Sequence, residues 1–581
     1  MYRLSLFFLL LAAVWAQAPA TQQTAPSSVP LSTVDGRVIN EQTGEGIGGA
    51  SVRLVPMVAR PGVGYGVEHT TSTQLDGSFH FENVMPGSYV LLANHDGFIS
   101  NRTSSGRPTA ISVTEGQQVS GVFLPLTPAA VITGKVLDGD GKPVAGATVG
   151  AFTVRYFRGR PQMRQAGSTR AGDAGQYSLA RLEPGTYYVV AGPSLISNGR
   201  FGAGRRAATQ ATTTKGNGAQ LEFVRTFYPR ALTLDDATPV QIAAGQSLPG
   251  INITLVRSAS YHIRGRIAGF SDLTTRRTSI TLSLRNGINV PGLSQTVRPD
   301  RTGNFDLAGV LPGSYTLWLR GTYASSVPNP MVAERPRILS RLDLDVGHSD
   351  VDGIELAVLP PITLSGRVQL EGAGNQATGY SSLRVTLTVL EDLPRGAGMQ
   401  SVIVSPDGTF SFRDLEPARY ALMAVNPPVG TYVKSISFNK QDVTHTGLDL
   451  TQGESGQVEI VLRQGAGEVD GTVEMTPNTA ATPATVILIP ETLAADGSGL
   501  LFGGARPGDH FAIQNVPPGH YYALAVERYD PAAWGNLDFI RQMQSQGTAI
   551  EVDENAHAQV QLSVIGTDEL RQIAARLGMN F

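Results

Sequence analysis

Residues 83–98 read NVMPGSYVLLANHDGF, and the motif at their centre, Pro86-Gly87-x-Tyr89, decides the fold because it recurs along the chain. Four later segments repeat it with small changes: RLEPGTY (181–187), GVLPGSY (309–315), DLEPARY (414–420) and NVPPGHY (515–521). We call this segment the closing motif. Its five copies predict five copies of one structural unit.

The rest of each unit is repeated as well. Every copy opens with a Gly-x-Val/Ile strand start, at Gly36, Gly134, Gly265, Gly366 and Gly471. The distance from this glycine to the closing tyrosine is 53, 53, 50, 54 and 50 residues, whereas successive openings lie 98, 131, 101 and 105 residues apart. A constant internal length with variable spacing indicates repeated domains that carry loop insertions.

The closing motif predicts a corner between two strands. Side chains alternate along a strand, so Phe79 and Phe81 share one face of the strand before the corner. Pro86 favours the second position of a type II turn, and Gly87 would supply the positive φ of its third position. Tyr89 then starts the next strand on the inward face, where a buried hydroxyl requires a partner.

The structural corner residues predicted on this basis are Pro86, Gly87, Tyr89, Pro184, Gly185, Tyr187, Pro312, Gly313, Tyr315, Pro417, Tyr420, Pro518, Gly519 and Tyr521. In the fourth copy Ala418 replaces the glycine, which predicts a different or strained turn there.

The combined pattern of an opening glycine, a D-x-x-G-x-[FY]-x-[FL] strand and the closing motif resembles the carboxypeptidase regulatory-like domain. The second repeat, with GKPVAGA at 141–147, is the most similar copy. The resemblance implies an all-β fold of the Ig-like or prealbumin-like sandwich type, shared with transthyretin-like, Cna-B-type and carbohydrate-binding-like modules. It implies little about function, since the name comes from zinc carboxypeptidases that carry such a domain beside a catalytic one.

The repeats and their connecting segments predict the domain organisation. The expected order is a signal peptide (1–16), a flexible leader (17–31), five β-sandwiches (32–127, 128–257, 258–359, 360–464 and 465–566) and a C-terminal helix (567–581). In the last segment Thr567 is the expected N-cap, and Leu570, Ile573 and Leu577 share one face.

The first residues predict export. Arg3 precedes an apolar run from Leu4 to Val14, and small residues at 14–16 suit cleavage after Ala16. This run is too short to span a bilayer as a helix, and no later stretch approaches the required length, so no transmembrane span is expected in the mature chain. The chain contains no cysteine, which excludes disulfides and thiolate chemistry. We expect a periplasmic or extracellular protein.

No motif predicts catalysis, a metal or a cofactor. The nine histidines never form H-x-x-E or H-E-x-x-H, and no G-x-S-x-G elbow occurs. Asp138-Gly-Asp140-Gly141 resembles the start of a calcium loop but lacks the later ligands, so a hairpin turn is the better interpretation. The net charge of −3 disfavours nucleic acid as a partner.

One segment is locally basic. Residues 151–230 carry twelve basic residues against three acidic ones, within an insertion of the second repeat. A polyanion-binding surface at Arg155, Arg158, Arg160, Arg164, Arg205 and Arg206 is one hypothesis, and a solvated, mobile loop is the simpler one.

Trp318 predicts a contact between domains. It lies three residues after Tyr315 and therefore faces away from the core, at a position occupied in the other repeats by Leu92, Val190, Met423 and Leu524. Because all five are apolar, we expect this second face to be covered in every repeat rather than to bind sugar. Trp534 lies in a loop and short helix that should pack on the fifth repeat.

Three functions remain open at this stage. The first is a non-enzymatic scaffold, spacer or binding protein of the cell envelope, whose partner would be an unknown protein or polysaccharide. The second is a carbohydrate-binding protein, and the third and weakest is an accessory protein of a carboxypeptidase.

Overall fold

The computed structural model describes residues 31–57, 68–100, 109–192, 221–273, 277–285, 295–322, 337–371, 380–391, 393, 398–474, 484–494, 497–505 and 508–579. The predicted signal peptide and nearly all of the leader lie outside these residues, as do Arg205 and Arg206. The chain divides into two compact units, one ending at Thr127 and the other beginning at Pro128.

The first repeat shows the arrangement that the others vary. Its strands are β1 Ser32–Asn40, β2 Ser51–Pro56, β3 His69–Ser72, β4 Ser78–Val84, β5 Gly87–Asn94, β6 Phe98–Ile99, β7 Thr109–Val113 and β8 Gln118–Pro128. They form two sheets, in the orders β4-β1-β8-β6 and β3-β2-β5-β7. In the first sheet β1 pairs antiparallel with β4 and parallel with β8.

The second repeat adds short strands around the same plan. Its strands are β9 Ala130–Leu137, β10 Thr148–Phe157, β11 Arg160–Arg170, β12 Gln176–Leu182, β13 Gly185–Gly192, β14 Leu221–Phe223, β15 Thr226–Phe227, β16 Val240–Ile242, β17 Ser247–Leu248, β18 Ile253–Thr254 and β19 Arg257–Ala259. One sheet is β12-β9-β17 with β18 also on β9, the other is β11-β10-β13-β15 with β16 on β13, and β14 pairs with β19.

The third and fourth repeats keep two separate sheets. The third contains β20 Tyr261–Ala268, β21 Ser279–Leu284, β22 Gln295–Val297, β23 Asn304–Val310, β24 Gly313–Gly321, β25 Arg337–Val346 and β26 Val351–Ala357, in sheets β23-β20-β26 and β22-β21-β24-β25. The fourth contains β27 Ile362–Leu370, β28 Arg384–Val389, β29 Met399–Ile403, β30 Thr409–Leu415, β31 Arg419–Val425, β32 Thr431–Phe438, β33 Gln441–Asp442, β34 Leu448–Asp449 and β35 Gly456–Gln464, in sheets β30-β27-β35-β32-β33 and β29-β28-β31-β34.

The fifth repeat joins its two layers through one parallel pairing. Its elements are β36 Gly467–Glu474, β37 Ala484–Pro490, β38 Leu501–Ala505, β39 His510–Val516, β40 Gly519–Val526, α1 Leu537–Gln544, β41 Thr548–Val552, β42 His557–Ile565 and α2 Thr567–Arg576. The strand order is β38-β37-β40-β42-β36-β39, with β41 on β40. Single 3₁₀ turns occur at Phe270–Asp272 and Tyr380–Ser382.

Each repeat encloses its own hydrophobic core. Five clusters of buried side chains lie within residues 34–126, 130–255, 263–356, 362–462 and 469–564. The inward positions of both sheets fill them, as alternation along the strands requires. The protein is thus a tandem array of five β-sandwich domains with a short C-terminal helix, which confirms the predicted fold class. The exact domain boundaries stay a prediction.

The opening glycine makes room for an aromatic ring on the neighbouring strand. Gly36 is the cross-strand partner of Phe79, and a Cβ at Gly36 would lie 2.4 Å from the Phe79 Cζ. The equivalent pairs are Gly134 with Tyr177, Gly265 with Phe305, Gly366 with Phe410 and Gly471 with Phe511. Glycine is therefore needed for space. A Cβ would first meet the aromatic ring at Gly366, the ring and a carbonyl oxygen equally at Gly36, and a main-chain carbonyl oxygen at Gly134, Gly265 and Gly471.

The two helices begin with different caps. Asn536 caps α1, its Oδ1 accepting from the amides of Asp538 and Phe539 at 2.7 and 3.0 Å. For α2 the prediction that Thr567 is the N-cap is wrong. Gly566 holds that position, and the Glu527 carboxylate accepts hydrogen bonds from the Thr567 amide and hydroxyl at 2.9 Å each. A carboxylate that directly follows β40 thus accepts a hydrogen bond from the first main-chain amide of α2.

Candidate binding surfaces and the structural corner

The tyrosine of every corner is anchored to the main chain four residues earlier. The hydroxyl of Tyr89 donates to the Met85 carbonyl at 2.8 Å, and the same bond recurs at Tyr187, Tyr315, Tyr420 and Tyr521 at 2.7–2.9 Å. Four of these side chains are at most 6% exposed, and Tyr315 is half-buried. The bond lets the ring enter the core without leaving its hydroxyl unsatisfied.

Burial changes the acidity of these tyrosines. Removal from water raises the pKa of Tyr521 to about 12 and raises that of Tyr187 and Tyr420 further. The pKa values of Tyr89 and Tyr315 are raised for the same reason. Because the anion of a buried phenol is poorly solvated, all five corners hold the neutral hydroxyl.

The backbone of the corner differs from the predicted type II turn. Gly185, Gly313 and Gly519 have φ values of 149°, 157° and 153°, closer to extended chain than to the +80° of that turn, and each is the first residue of a strand. Ala418 has no positive φ, so alanine is accommodated there. Of the two outcomes predicted for this turn, the first holds: Ala418 differs from the three glycines with positive φ, and it is not strained.

The left-handed residue lies three positions before the proline. It is Asn83, Arg181, Gly309, Asp414 or Asn515, with φ between 58° and 75°. In each repeat the pairing of the first strand with the strand before the corner shifts register next to this residue. A bulge thus turns the chain from one sheet into the other. Its signal was the Asn, Asp or Gly that four of the five copies carry there, residues that tolerate this conformation.

Among the described residues, no group of three His, Asp or Glu side chains is arranged to hold a metal ion. His80 contacts Asp35 at 2.5 Å and His262 contacts Asp306 at 2.7 Å, each through a ring nitrogen and a carboxylate oxygen on neighbouring strands of partly exposed sheet faces. Such pairs resemble surface salt bridges more than a metal site with an open position.

The acidic turn of the second repeat is a hairpin connection. Asp138 Oδ1 accepts from the amides of Asp140 and Lys142 at 3.0 and 2.8 Å. The carboxylate is thus used to hold the turn, in the manner of an Asx-turn.

The described start of the basic insertion is a two-stranded hairpin with one register shift, and not the loop that the simpler hypothesis expected. Strands β10 and β11 pair over their whole length, from Thr148 with Arg170 to Phe157 with Arg160. Arg158 and Gly159 form the turn, with φ values of 48° and 73°, both in the left-handed region that two-residue hairpin turns favour.

The two faces of this hairpin differ in chemistry. The pairings of Arg155 with Gln162 and Thr153 with Arg164 place the arginines on one face, together with Phe157 and Arg160. The opposite face carries Phe152 and Met163, which are buried in an apolar cluster with Val190 and Phe227. Arg160 and Arg164 are exposed, whereas Arg155 and Arg158 are half-buried.

The tip of the hairpin is docked on the fifth repeat. The Gly159 amide donates to the Gly535 carbonyl at 2.7 Å, and Tyr156 packs against the cluster that contains Trp534 and Phe539. Gly535 fits closely, since a Cβ there would lie 2.3 Å from the Tyr156 carbonyl oxygen. We call this contact the clasp. It joins repeats that are separated in sequence by two complete domains.

Trp318 lies outside the core of the third repeat and is only 3% exposed. Its Nε1 donates to the Ser283 hydroxyl at 2.7 Å, and the Arg341 guanidinium carbon lies 4.9 Å from its ring centroid. Arg341 also pairs with Glu391 of the fourth repeat at 2.7 Å. The indole therefore supports a junction between domains and has no exposed face for a sugar ring.

The equivalent positions in other repeats are covered unequally. Val190 and Leu524 are buried, Leu92 is half-buried, and Met423 is 43% exposed. The expectation that every repeat covers this face is thus wrong for the fourth repeat. There the side chain of Arg158, which donates to the Met423 sulfur at 3.1 Å, takes the place of a packed apolar layer.

Comparison with solved structures gives distant likenesses. The minor pilin GBS52 of Streptococcus agalactiae is 13% identical, with 39% of this chain and 96% of that one covered, at a TM-score of 0.21. The major pilin subunit BcpA of Bacillus cereus is 11% identical, with 56% and 99% covered, at 0.15. Two B repeat units of the collagen binding protein of Staphylococcus aureus are 11% identical, with 74% and 99% covered, at 0.12. Each score is far below 0.5, so the fold assignment depends on the sheets of this chain itself.

Comparison with curated proteins finds no match. Residues 33–123 match the model of the carboxypeptidase regulatory-like domain. These residues span nearly all of the first sandwich, from β1 into β8. The first repeat is thus similar to the carboxypeptidase regulatory-like domain, and it heads an array of five sandwiches that share its layout.

Proposed function

We propose that this protein is an exported, non-enzymatic scaffold or binding protein of the cell envelope. One observation carries the proposal: the residues that define the repeat serve the packing of each sandwich. The opening glycine leaves space for a neighbouring aromatic ring, and the tyrosine hydroxyl donates a hydrogen bond to a main-chain carbonyl of its own corner. The repeated motif thus builds a support, and binding is left to the faces and insertions that differ between repeats.

Export is supported by the apolar run from Leu4 to Val14 and the small residues that follow it. Among the residues that the structure describes, no helix combines the length and apolar character needed to cross a bilayer. We place the mature chain in the periplasm or outside the cell.

Cell fractionation tests this proposal. The full chain should appear in the periplasmic or extracellular fraction with a new N-terminus after Ala16, and deletion of residues 1–16 should retain it in the cytoplasm. Retention of the intact chain in the cytoplasm would contradict export. The purified protein should show no chelator-sensitive peptidase turnover with added zinc, and such turnover would revive the carboxypeptidase-associated alternative.

A carbohydrate-binding role is the second candidate. The arginine-bearing face of the β10–β11 hairpin favours it, because that face places exposed cations beside an exposed aromatic ring.

A further inference from the structure

We propose that the face of the β10–β11 hairpin carrying Phe157, Arg160 and Arg164 binds an acidic polysaccharide whose sugar rings bear carboxylates. We call it the basic face. This inference deepens the proposed function and rests on it. It concerns only described residues, since Arg205 and Arg206 lie outside them.

The charged side chains of the hairpin are all positive. Residues 148–170 contain five arginines and no aspartate or glutamate. Arg160 and Arg164 lie four residues apart on one face of a single strand, so their Cα atoms are separated by about 13 Å. Both are exposed, and within the described part of the chain neither forms an ion pair. The chain as a whole has a net charge of −3, so this local excess of positive charge attracts an anionic ligand to the hairpin in particular.

The clasp makes the basic face rigid. Tyr156 and the Gly159 amide anchor the tip on the fifth repeat. On the opposite face, Phe152 and Met163 are buried against the second repeat. A ligand would therefore meet arginines on a fixed two-stranded support and would not have to order a loop, a cost that commonly weakens binding.

The aromatic residue distinguishes an acidic sugar from a bare phosphate. Phe157 is the cross-strand partner of Arg160 and is 41% exposed. Its flat apolar ring can pack against the C–H face of a pyranose, while the guanidinium fork pairs with a carboxylate. Phosphate groups use only the second of these contacts.

Binding of the purified full chain to oligogalacturonate tests the inference. We expect the acid to bind and its methyl ester to bind at least tenfold more weakly, since esterification removes the negative charge and leaves the sugar ring unchanged. Arg160→Glu combined with Arg164→Glu should weaken binding at least tenfold. Arg301→Glu combined with Arg384→Glu changes the net charge equally at exposed sites in the third and fourth repeats and should stay within twofold.

Two further variants separate the contacts. Arg160→Ala with Arg164→Ala should lower the salt dependence of binding, as lost ion contacts require. Phe157→Ala should weaken binding several-fold without changing the salt dependence. Circular dichroism establishes that each variant is folded.

Equal binding of acid and ester, no binding of either, or an unchanged affinity in the charge-reversal variant would overturn the inference. Binding to phosphatidylglycerol vesicles in preference to oligogalacturonate, lost on charge reversal, would also overturn it in favour of a lipid surface. These measurements use purified protein, so their failure is distinct from a failure of export in the fractionation experiment.

Discussion

At the scale of single residues, the corner tyrosine solves a problem that burial creates. A phenol fills a large part of each core, yet its hydroxyl needs a partner that water can no longer supply. The carbonyl four residues earlier provides it in all five repeats. In the fourth repeat the Tyr420 hydroxyl also accepts from the Glu416 amide at 3.1 Å, so it satisfies two main-chain groups.

Replacing Tyr420 by Phe should therefore destabilise the fourth repeat by about 1–3 kcal/mol, because two buried backbone groups lose their partner. Hydrogen exchange of the β31 amides, which reports local opening, measures the effect. Tyr432→Phe is the matched control, since the half-buried Tyr432 of the same repeat makes no hydrogen bond through its hydroxyl among the described residues. Equal protection in the two variants would show that the corner bond contributes nothing.

The corner tyrosines also predict alkaline instability. Their folded-state pKa values are raised above the ordinary value of 10.0, so the fold favours the neutral phenol. This contribution to stability is complete below pH 10 and is lost as the pH rises through the folded-state value, about 12 for Tyr521. In an ultraviolet titration, the five corner tyrosines should ionise at a higher pH than exposed tyrosines, in the same pH range in which the protein unfolds. Tyr521→Phe should remove part of the late amplitude, and an unchanged late amplitude would contradict this assignment.

At the scale of strands, a glycine and an aromatic residue on neighbouring strands form one unit. The type of clash differs between repeats. The three atoms nearest to a Cβ at Gly366 all belong to the Phe410 ring, at 2.1–2.6 Å, whereas at Gly471 the nearest is the Val560 carbonyl oxygen at 1.7 Å. A side chain can be shortened by mutation, but the main chain of the parallel partner strand cannot.

Gly366→Ala should destabilise the fourth repeat by about 1–3 kcal/mol, the usual cost of overpacking. Adding Phe410→Leu should restore part of the loss, whereas Phe511→Leu should not rescue Gly471→Ala. Urea denaturation measures both pairs. Gly398→Ala, where a Cβ meets nothing within 4 Å, is the control. If Phe511→Leu restores the stability of Gly471→Ala as much as Phe410→Leu restores that of Gly366→Ala, the clash with the Val560 carbonyl does not cause the loss of stability at Gly471.

At the scale of the whole molecule, the unit that begins at Pro128 contains contacts between repeats that are distant in sequence. The clasp connects the second repeat to the fifth, and the Arg341–Glu391 pair connects the third to the fourth. The Gly430 amide also donates to Asn515 Oδ1 at 2.8 Å, between the fourth and fifth repeats. Several separate contacts of this kind restrict the relative motion of domains more than short linkers alone.

Gly535→Ala should open the clasp, because its Cβ would overlap the Tyr156 carbonyl oxygen. The chain has no cysteine, so spin labels can be attached selectively at Ala166→Cys and Gln542→Cys, both exposed positions. Pulsed electron paramagnetic resonance should give a narrow distance distribution in the parent and a broad one in Gly535→Ala. Gly504→Ala, also in the fifth repeat but in open space, should leave it narrow. A narrow distribution in Gly535→Ala would show that the clasp does not hold the domains.

The sequence by itself determined the five domains and their cores. The closing motif combines turn residues with alternating apolar positions, and these signals act within a few residues, so they could be read without knowing what lies beside them. They predicted the inward direction of Tyr89 and its equivalents. The spacing of apolar residues in the last segment predicted the apolar face of α2, and the sequence around Trp534 predicted that this residue packs on the fifth repeat.

Only the tertiary structure decided the features that depend on distant neighbours. The bulge at Asn83 arises from pairing with β1, about 50 residues away in sequence. Gly87 begins β5 and pairs with Val113 of β7 instead of holding a turn with positive φ. The described hairpin of the arginine-rich insertion, β10 and β11, packs one of its faces within the second repeat and binds Gly535 with its tip. Trp318 is buried because Ser283 and Arg341 meet it from other strands. Burial and docking are properties of surfaces that the folded chain brings together, and no local pattern encodes which surface will lie opposite.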